Sequence, residues 1–340
     1  MRSVIFSQAG DAASVARVAD VPDAPAPRAD EIQLRVSLSP VHRGDLVGTE
    51  AVSLPADESR HVRLGSEAVG VVTTVGDAVC NLRVGDRVAV FPAPGAWAES
   101  VTVPAEAAVN VPETVSDEIA SILLVNTITS RDVLRAVSDL RGTTATVDDT
   151  PLVVSAAASA VGKLVVRQAL DRRWPVIAVV RSDRSAATVR KLFPDVPVVV
   201  TGNDGWQGEL RDLVGARQLP VIADAHGGGF VREILPFLAD AGTLVVWGDL
   251  AARPWTLSTS DLLPRELRVR AVSISRWMTR PADVREDDRR AAAELAAHHP
   301  ELLAVHAAYP LDDLRAAIDA ARTNGTGAAL LDINGRQTSK

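Results

Sequence analysis

The stretch PLVVSAAASAVGKLVVRQAL, from Pro151 to Leu170, holds the residue spacing best suited to chemistry. It reads as a buried strand over Leu152–Val154, a turn of small residues, and a helix opening near Ala160. Ala157, Ser159 and Gly162 occupy the three glycine places of a G-x-G-x-x-G fingerprint. Small residues there let backbone N–H groups approach a pyrophosphate, and the helix N-terminus adds partial positive charge. Taken alone, the spacing fits an ordinary strand–helix packing turn equally well. A second candidate follows the next strand, where VIAVV (176–180) runs into Arg181, Ser182, Asp183 and Arg184. An acidic side chain at such a strand end accepts hydrogen bonds from the ribose hydroxyls of NAD, whereas guanidinium groups suit a 2′-phosphate. Arg181, Ser182 and Arg184 therefore favour NADPH. The competing readings are a pair of solvated arginines, and NAD held through Asp183.

The elements that must position these residues alternate strand and helix. Apolar runs at 152–154, 176–180, 196–200, 221–225 and 243–248 are separated by helical patterns from Ala160 and over Ala186–Phe193, Gln207–Leu213 and Phe230–Leu238. That alternation predicts a doubly wound parallel sheet. The first third of the chain reads differently. Short strands over Ser3–Phe6 and Glu31–Ser37 flank a proline-dotted loop, Val21–Asp30, and further strands follow glycine turns at Gly65, Gly76 and Gly85. Between them lies a long polar connection, Ser39–Val62, with no clear period; a loop of that length is usually functional. Ser116 reads as an N-cap, helical spacing covers Asn126–Leu140, and the C-terminal part holds helices over Asp287–His298 and Leu311–Arg322 before an apolar AALLDI. The nucleotide domain, residues 123–275, is thus inserted between two parts of a β-rich domain, residues 1–122 and 276–340.

Composition narrows the function classes. The chain has 340 residues, 47% hydrophobic and 23% charged, enough for two packed domains. A net charge of −7 argues against a general binder of nucleic acid or anionic membranes. The single cysteine, Cys80, fits a reducing compartment, and no stretch approaches a membrane span. A cytoplasmic protein acting on a small molecule is expected.

The order of segments resembles the medium-chain dehydrogenase/reductase superfamily. GSEAVGVVTTVGDAVCNLRVGDRVAVF (65–91) is similar to the segment in which a G-x-E-x-x-G turn precedes a V-G-D-R-V strand, and GAWAESVTVP (95–104) to the segment that follows it. LLVNTITSRDVLRA (123–136), AAASAVGKLVVRQA (156–169) and ISRW (274–277) resemble stretches of the zinc-free branch of enoyl thioester reductases and quinone oxidoreductases. The resemblance implies an α/β fold, a Rossmann doubly wound sheet inserted in a β-rich GroES-like catalytic domain, and a homodimer through edge strands. No metal is expected. His42 and Ser66 stand where zinc-dependent members keep a cysteine and a histidine, and His42, His61 and Glu67 form a weak ligand set.

The resemblance also implies contacts. Asn126 and Thr129 would lie near the nicotinamide. Ala158, Ser159, Ala160, Val161 and Gly162 would cradle the pyrophosphate. Trp247, Gly248, Asp249 and Leu250 would line the cofactor, and Val272, Ser273 and Ile274 would flank the nicotinamide. One family lysine is missing, with Gly327-Ala328 in its place. The tyrosine that the enoyl reductases use to meet the substrate is missing too; the loop reads Gly48-Thr49-Glu50-Ala51-Val52-Ser53, and the chain's one tyrosine is Tyr309. Replacement donors from the same region are His42, Thr49, Ser53 and His61, with Thr129 orienting the carbonyl. The expected activity is NADPH-dependent hydride transfer to an activated C=C of an enone or enoyl thioester. The alternatives are reduction of a quinone, and nucleotide binding without turnover.

Overall fold

A computed structural model describes residues 1–51, 61–141, 149–323 and 327–335. The chain forms two compact units, Met1–Val125 with Ala282–Lys340, and Asn126–Pro281. The unit boundaries fall a few residues beyond 122 and 275. Leu124 and Val125 are tied to Glu67 of the first unit, and the 3-10 turn Ile274–Thr279 stays with the second.

The first unit is built on a seven-stranded sheet. Its order is Val305–Pro310, Ala328–Asp332, Glu31–Pro40, Ala68–Val75, Arg87–Val90 and Ala108–Asn110, with Ser100–Pro104 also pairing Glu31–Pro40. Along Glu31–Pro40 the residues Ile32, Leu34, Val36 and Leu38 are buried at every second position, as a strand with one face on a core requires. The C-terminal part returns to this sheet: Leu330, Leu331 and Asp332 pair antiparallel with Pro40, Ser39 and Leu38. Its neighbour Val305–Pro310 runs parallel to Ala328–Asp332, and helix Leu314–Thr323 makes the connection a parallel pair needs. A smaller sheet joins Arg17–Asp20, Arg2–Phe6 and Val62–Arg63.

One expectation fails here. The connection after Ser39 is not all loop, because Arg43–Ala51 is a helix. The Asp45 carboxylate accepts the His42 N–H at 3.2 Å as the helix opens, and Leu46 and Thr49 are buried on one side. Two glycines within nine residues hide that helix from periodicity.

The second unit holds six parallel strands in the order Val198–Val200, Val176–Val180, Leu152–Ser155, Leu219–Asp224, Leu238–Val246 and Arg268–Ala271. Counted in chain order this is 3-2-1-4-5-6, the doubly wound arrangement with a crevice where the order reverses. Every residue of Leu152–Ser155 and Val176–Val180 is buried, as in a parallel sheet covered on both faces. The helix expected over Phe230–Leu238 stops at Ile234. Pro236 sits in a 3-10 turn, and Leu238 already begins the fifth strand.

Candidate functional site

In the nucleotide unit the first strand ends at Ser155 and the chain turns sharply. Ala156 takes a left-handed φ of +48°, a conformation that costs an alanine about 1 kcal/mol. Its carbonyl accepts the Ser159 N–H at 2.8 Å, closing the turn. Ser159 then caps helix Ala160–Asp171, its hydroxyl oxygen accepting the Gly162 N–H at 3.0 Å. A Cβ on Gly162 would stand 2.3 Å from the Ala156 carbonyl oxygen, so no side chain fits there. The N–H groups of Ala160 and Val161, like those of any first helical turn, have no intrahelical acceptor. The cradle thus has the shape and polarity that a pyrophosphate requires.

A buried polar cluster fixes this turn to the loop after the fourth strand. The Ser155 hydroxyl donates to Asp224 Oδ1 and accepts the Ala225 N–H at 3.0 Å and the His226 N–H at 3.3 Å. Asp224, fully buried, also accepts the His226 and Gly227 N–H groups at 2.9 and 3.1 Å. Gly227 and Gly228 adopt positive φ, and a Cβ on Gly227 would meet Asp249 Oδ1 at 2.3 Å. The sequence reading missed Ser155 and Asp224. The readable signal is an aspartate at a strand end followed by three glycines, ADAHGGG.

The remaining cofactor candidates of this unit lie where a parallel sheet collects its loops, at the carboxyl ends of the strands. Arg181, Ser182 and Arg184 follow the second strand, all exposed, with Ser182 capping helix Asp183–Leu192. Trp247, Gly248, Asp249 and Leu250 follow the fifth strand, where the Leu250 N–H reaches the Ala225 carbonyl at 2.9 Å. Val272, Ser273 and Ile274 follow the sixth, and Ser273 caps the 3-10 turn behind it. Ala158 stands in the turn itself. Asn126 and Thr129 are buried one turn apart on helix Leu123–Arg141 and so share a face.

In the GroES-like unit the candidate donors separate. Ser53 lies outside the described residues. Thr49 is fully buried and its hydroxyl donates to the carbonyls of Leu46 and Gly10, both at 2.8 Å, so it serves the backbone and cannot act as a proton donor. His61 is exposed. His42 is in a built environment. It follows strand Glu31–Pro40, whose end is pinned by the Trp97 indole N–H on the Pro40 carbonyl at 3.0 Å and by the Ser39 hydroxyl on the Glu67 carbonyl at 2.6 Å. Because Leu38 pairs with Val69, the neighbouring strand begins beside it and brings Glu67 within reach.

His42 Nε2 and Glu67 Oε2 are 2.7 Å apart. Glu67 is fully buried, and its other oxygen accepts the Leu124 and Val125 N–H groups at 2.7 and 3.1 Å. A carboxylate at the positive end of a 19-residue helix is stabilised by the N–H groups and by the helix dipole. Burial disfavours the charged imidazolium of His42, yet the hydrogen bond and charge of Glu67, with the charge of Asp45, outweigh it. His42 therefore titrates above its ordinary 6.5. Asp45 is raised as well, by burial first and by the charge of Glu67, against the charge of His42 and a hydrogen bond from Ser66. Among the described residues no group of three His, Cys, Asp or Glu side chains could hold a metal ion.

Comparison with known proteins agrees with this architecture. Residues 28–113 match the alcohol dehydrogenase GroES-like domain. Mouse mitochondrial enoyl-[acyl-carrier-protein] reductase is 27% identical over 288 residues, 82% of this chain and 73% of the mouse protein. A mycobacterial protein solved with NADPH superposes with a TM-score of 0.81 at 25% identity, over 97% of this chain and 99% of that one. Escherichia coli quinone oxidoreductase, solved with NADPH, gives 0.79 at 21% identity, over 98% and 100% of the two chains. A six-stranded doubly wound unit inserted in a GroES-like unit defines the medium-chain dehydrogenases and reductases. The chain carries the GroES-like domain of that superfamily at residues 28–113 and is homologous to the mitochondrial enoyl reductases over 82% of its length.

Proposed function

We propose that this protein is a zinc-independent, NADPH-dependent reductase that transfers hydride to the activated C=C of an enone or enoyl thioester. The observation that carries the reading is the cradle at Ala156–Gly162, capped by Ser159 and too tight for any side chain at 162. Arg181 and Arg184, exposed after the second strand, supply the charge a 2′-phosphate requires. Bound there, NADPH would supply the hydride. The chain's own residues hold and orient it: Ala158 to Gly162 at the pyrophosphate, Arg181, Ser182 and Arg184 at the ribose phosphate, and Trp247 to Leu250 along the rest. Asn126, Thr129 and Val272 to Ile274 would serve the nicotinamide end, Thr129 also orienting the substrate carbonyl. The mouse relative's activity supports an enoyl thioester as acceptor.

A quinone as acceptor is the second reading, favoured by the match to the E. coli quinone oxidoreductase over nearly the whole chain. A nucleotide-binding protein without turnover is a third, motivated by the missing family tyrosine and the missing family lysine. A small-molecule substrate, a homodimer and a cytoplasmic location complete the proposal. Among the described residues no helix is long and apolar enough to cross a membrane.

One assay series tests this. NADPH oxidation is followed with enones, enoyl thioesters and quinones, and repeated with NADH and with Arg181→Asp. Turnover is expected with the first two acceptor classes, with NADPH preferred. Arg181→Asp should weaken NADPH at least about tenfold while leaving NADH nearly unchanged, as one lost charge-assisted contact of roughly 1.5–3 kcal/mol implies. Preference for quinones alone would select the second reading, and tight binding without any turnover the third.

A further inference from the structure

The cradle at Ala156–Gly162 opens a 12-residue helix whose first turn holds one charged side chain, Lys163. We infer that the Lys163 ammonium is a pyrophosphate-binding group of this cradle, joining the backbone N–H groups of Ala160 and Val161 on the two phosphates that NADPH and NADH share. The inference rests on the cofactor reading above and adds to it a contact that the fingerprint spacing does not contain.

Helix geometry directs the side chain to the cradle. The Cβ atoms of a helix tilt toward its N-terminus, and long side chains lie over the residues three and four places earlier. For Lys163 these are Ala160 and Ser159, the first helical residue and the N-cap. Four residues of helical rise set its Cα about 6 Å behind the open end, which a four-carbon stem spans. Nothing in the protein neutralises the charge. Lys163 is only 4% exposed, yet among the described residues no hydrogen bond or ion pair holds its ammonium, and burial alone acts on its ionisation. Buried charges are ordinarily paired, so this one suits an anion brought from outside.

The surrounding elements offer no substitute. Strands Leu152–Ser155 and Val176–Val180 pack on this helix and carry no charged residue. Asp224 is spent on Ser155, His226 and Gly227, and the His226 ring stands edge-on to Phe230 at 5.3 Å. On the same helix Arg167 pairs with Asp171. Helix Leu123–Arg141 meets it where Gln168 Nε2 donates to Ser130 Oγ at 2.6 Å, and Arg131 and Arg135 act on Arg172, past the helix's other end. Asp132 pairs with Arg135 and Arg280, and Asp139 with Arg270. Lys163 also differs in kind from Arg181 and Arg184. Those two suit a 2′-phosphate, which NADH lacks, whereas both cofactors carry the same pyrophosphate. The ammonium, charged at neutral pH, loses its proton as pH rises past about 8. Phosphates favour its charged form, so the bound pKa is higher than the free one, and binding above pH 8 takes up a proton. Cofactor affinity is therefore complete below about 8 and falls as pH climbs past it.

Binding, not turnover, provides the test. NADPH and NADH are titrated by fluorescence into the wild type and Lys163→Met, below and above pH 8. At neutral pH the variant should bind both cofactors more weakly by the same factor, about tenfold or more, as one lost charge-assisted contact implies. The alkaline fall in affinity should be present in the wild type and absent from the variant. Arg181→Asp, in contrast, separates the two cofactors. A Lys163→Met protein that binds both within about twofold of the wild type, or that keeps the alkaline fall, overturns the inference and leaves the cofactor reading intact. Loss confined to NADPH would place the ammonium at the 2′-phosphate and overturn it equally. A wild type that binds neither nucleotide overturns the reading and the inference together. Should the variant fail to fold, calorimetry of the wild type in buffers of different ionisation enthalpy decides: no proton taken up on binding above pH 8 overturns the inference.

Discussion

Lys163 is placed against its own electrostatics. It follows Gly162 in the first turn of helix Ala160–Asp171, where the helix dipole repels a cation, and only 4% of it is exposed. Burial lowers its pKa from 10.5 to about 8. The folded pKa lies below the unfolded one, so between about 8 and 10.5 the unfolded chain binds more protons and stability rises with pH. Below that window the full penalty applies, and a displacement of this size corresponds to about 3 kcal/mol. Methionine has a similar shape without the charge. Lys163→Met should therefore gain about 1–3 kcal/mol in urea unfolding at neutral pH. It should also lose the alkaline rise that the wild type shows. A variant less stable than the wild type at neutral pH would mean that the ammonium is stabilised rather than tolerated. His42 has the opposite sign. Its pKa is raised, so its contribution to stability is complete below 6.5 and is lost as pH climbs through the folded value.

Among the elements, the turn between the first strand and its helix is the least tolerant of change. Gly162→Ala puts a Cβ 2.3 Å from the Ala156 carbonyl oxygen, and backbone must move to admit it. Overpacking of this kind costs about 1–3 kcal/mol, and the displaced turn should weaken NADPH by about tenfold or more in a fluorescence titration. Gly208→Ala is the control. It sits within helix Trp206–Val214 with nothing within 4 Å of its Cβ position, and should gain about 0.5–1 kcal/mol without touching NADPH affinity. Equal effects at the two sites would show that the cradle is not special. The same contrast explains what could be read in advance. Val176–Val180 and its fellow central strands announce themselves because both faces are covered, which demands unbroken apolar runs. The sixth strand, Arg268–Ala271, is exposed at every position and carries two arginines, so it left no such trace. Arg43–Ala51 was hidden by its glycines, and Phe230–Ile234 was overextended past Pro236. At the turn, the cap Ser159 and the tight place at Gly162 were legible through local spacing. The pairs Ser155–Asp224 and His42–Glu67 were not, because they join positions 69 and 25 residues apart and exist only once the sheets form.

At the scale of the whole molecule, insertion follows from how the sheets end, and the proposed homodimer is tested there. The chain leaves the GroES-like unit after Val125 and must come back, because Ala328–Asp332 is the strand that pairs with Glu31–Pro40. The nucleotide sheet has two edges of different character. Val198–Val200 is buried throughout, whereas all four residues of Arg268–Ala271 are exposed, including Val269 at 38%. An open edge is a template for pairing, and a two-fold axis across it would join two such sheets into one. The arginines of that edge do not block the approach, since Arg268 donates to the Ala241 carbonyl at 2.8 Å and Arg270 pairs with Asp139 at 3.0 Å, both within their own chain. Light scattering should accordingly give twice the chain mass of 35.9 kDa at micromolar concentration. Val269→Lys adds a third cation to the strand without removing a backbone N–H. It should shift the protein to the single-chain mass while circular dichroism and NADPH binding stay unchanged. A wild type that remains at 35.9 kDa across the concentration range would leave the exposed edge to some other cover and remove the homodimer from the proposal.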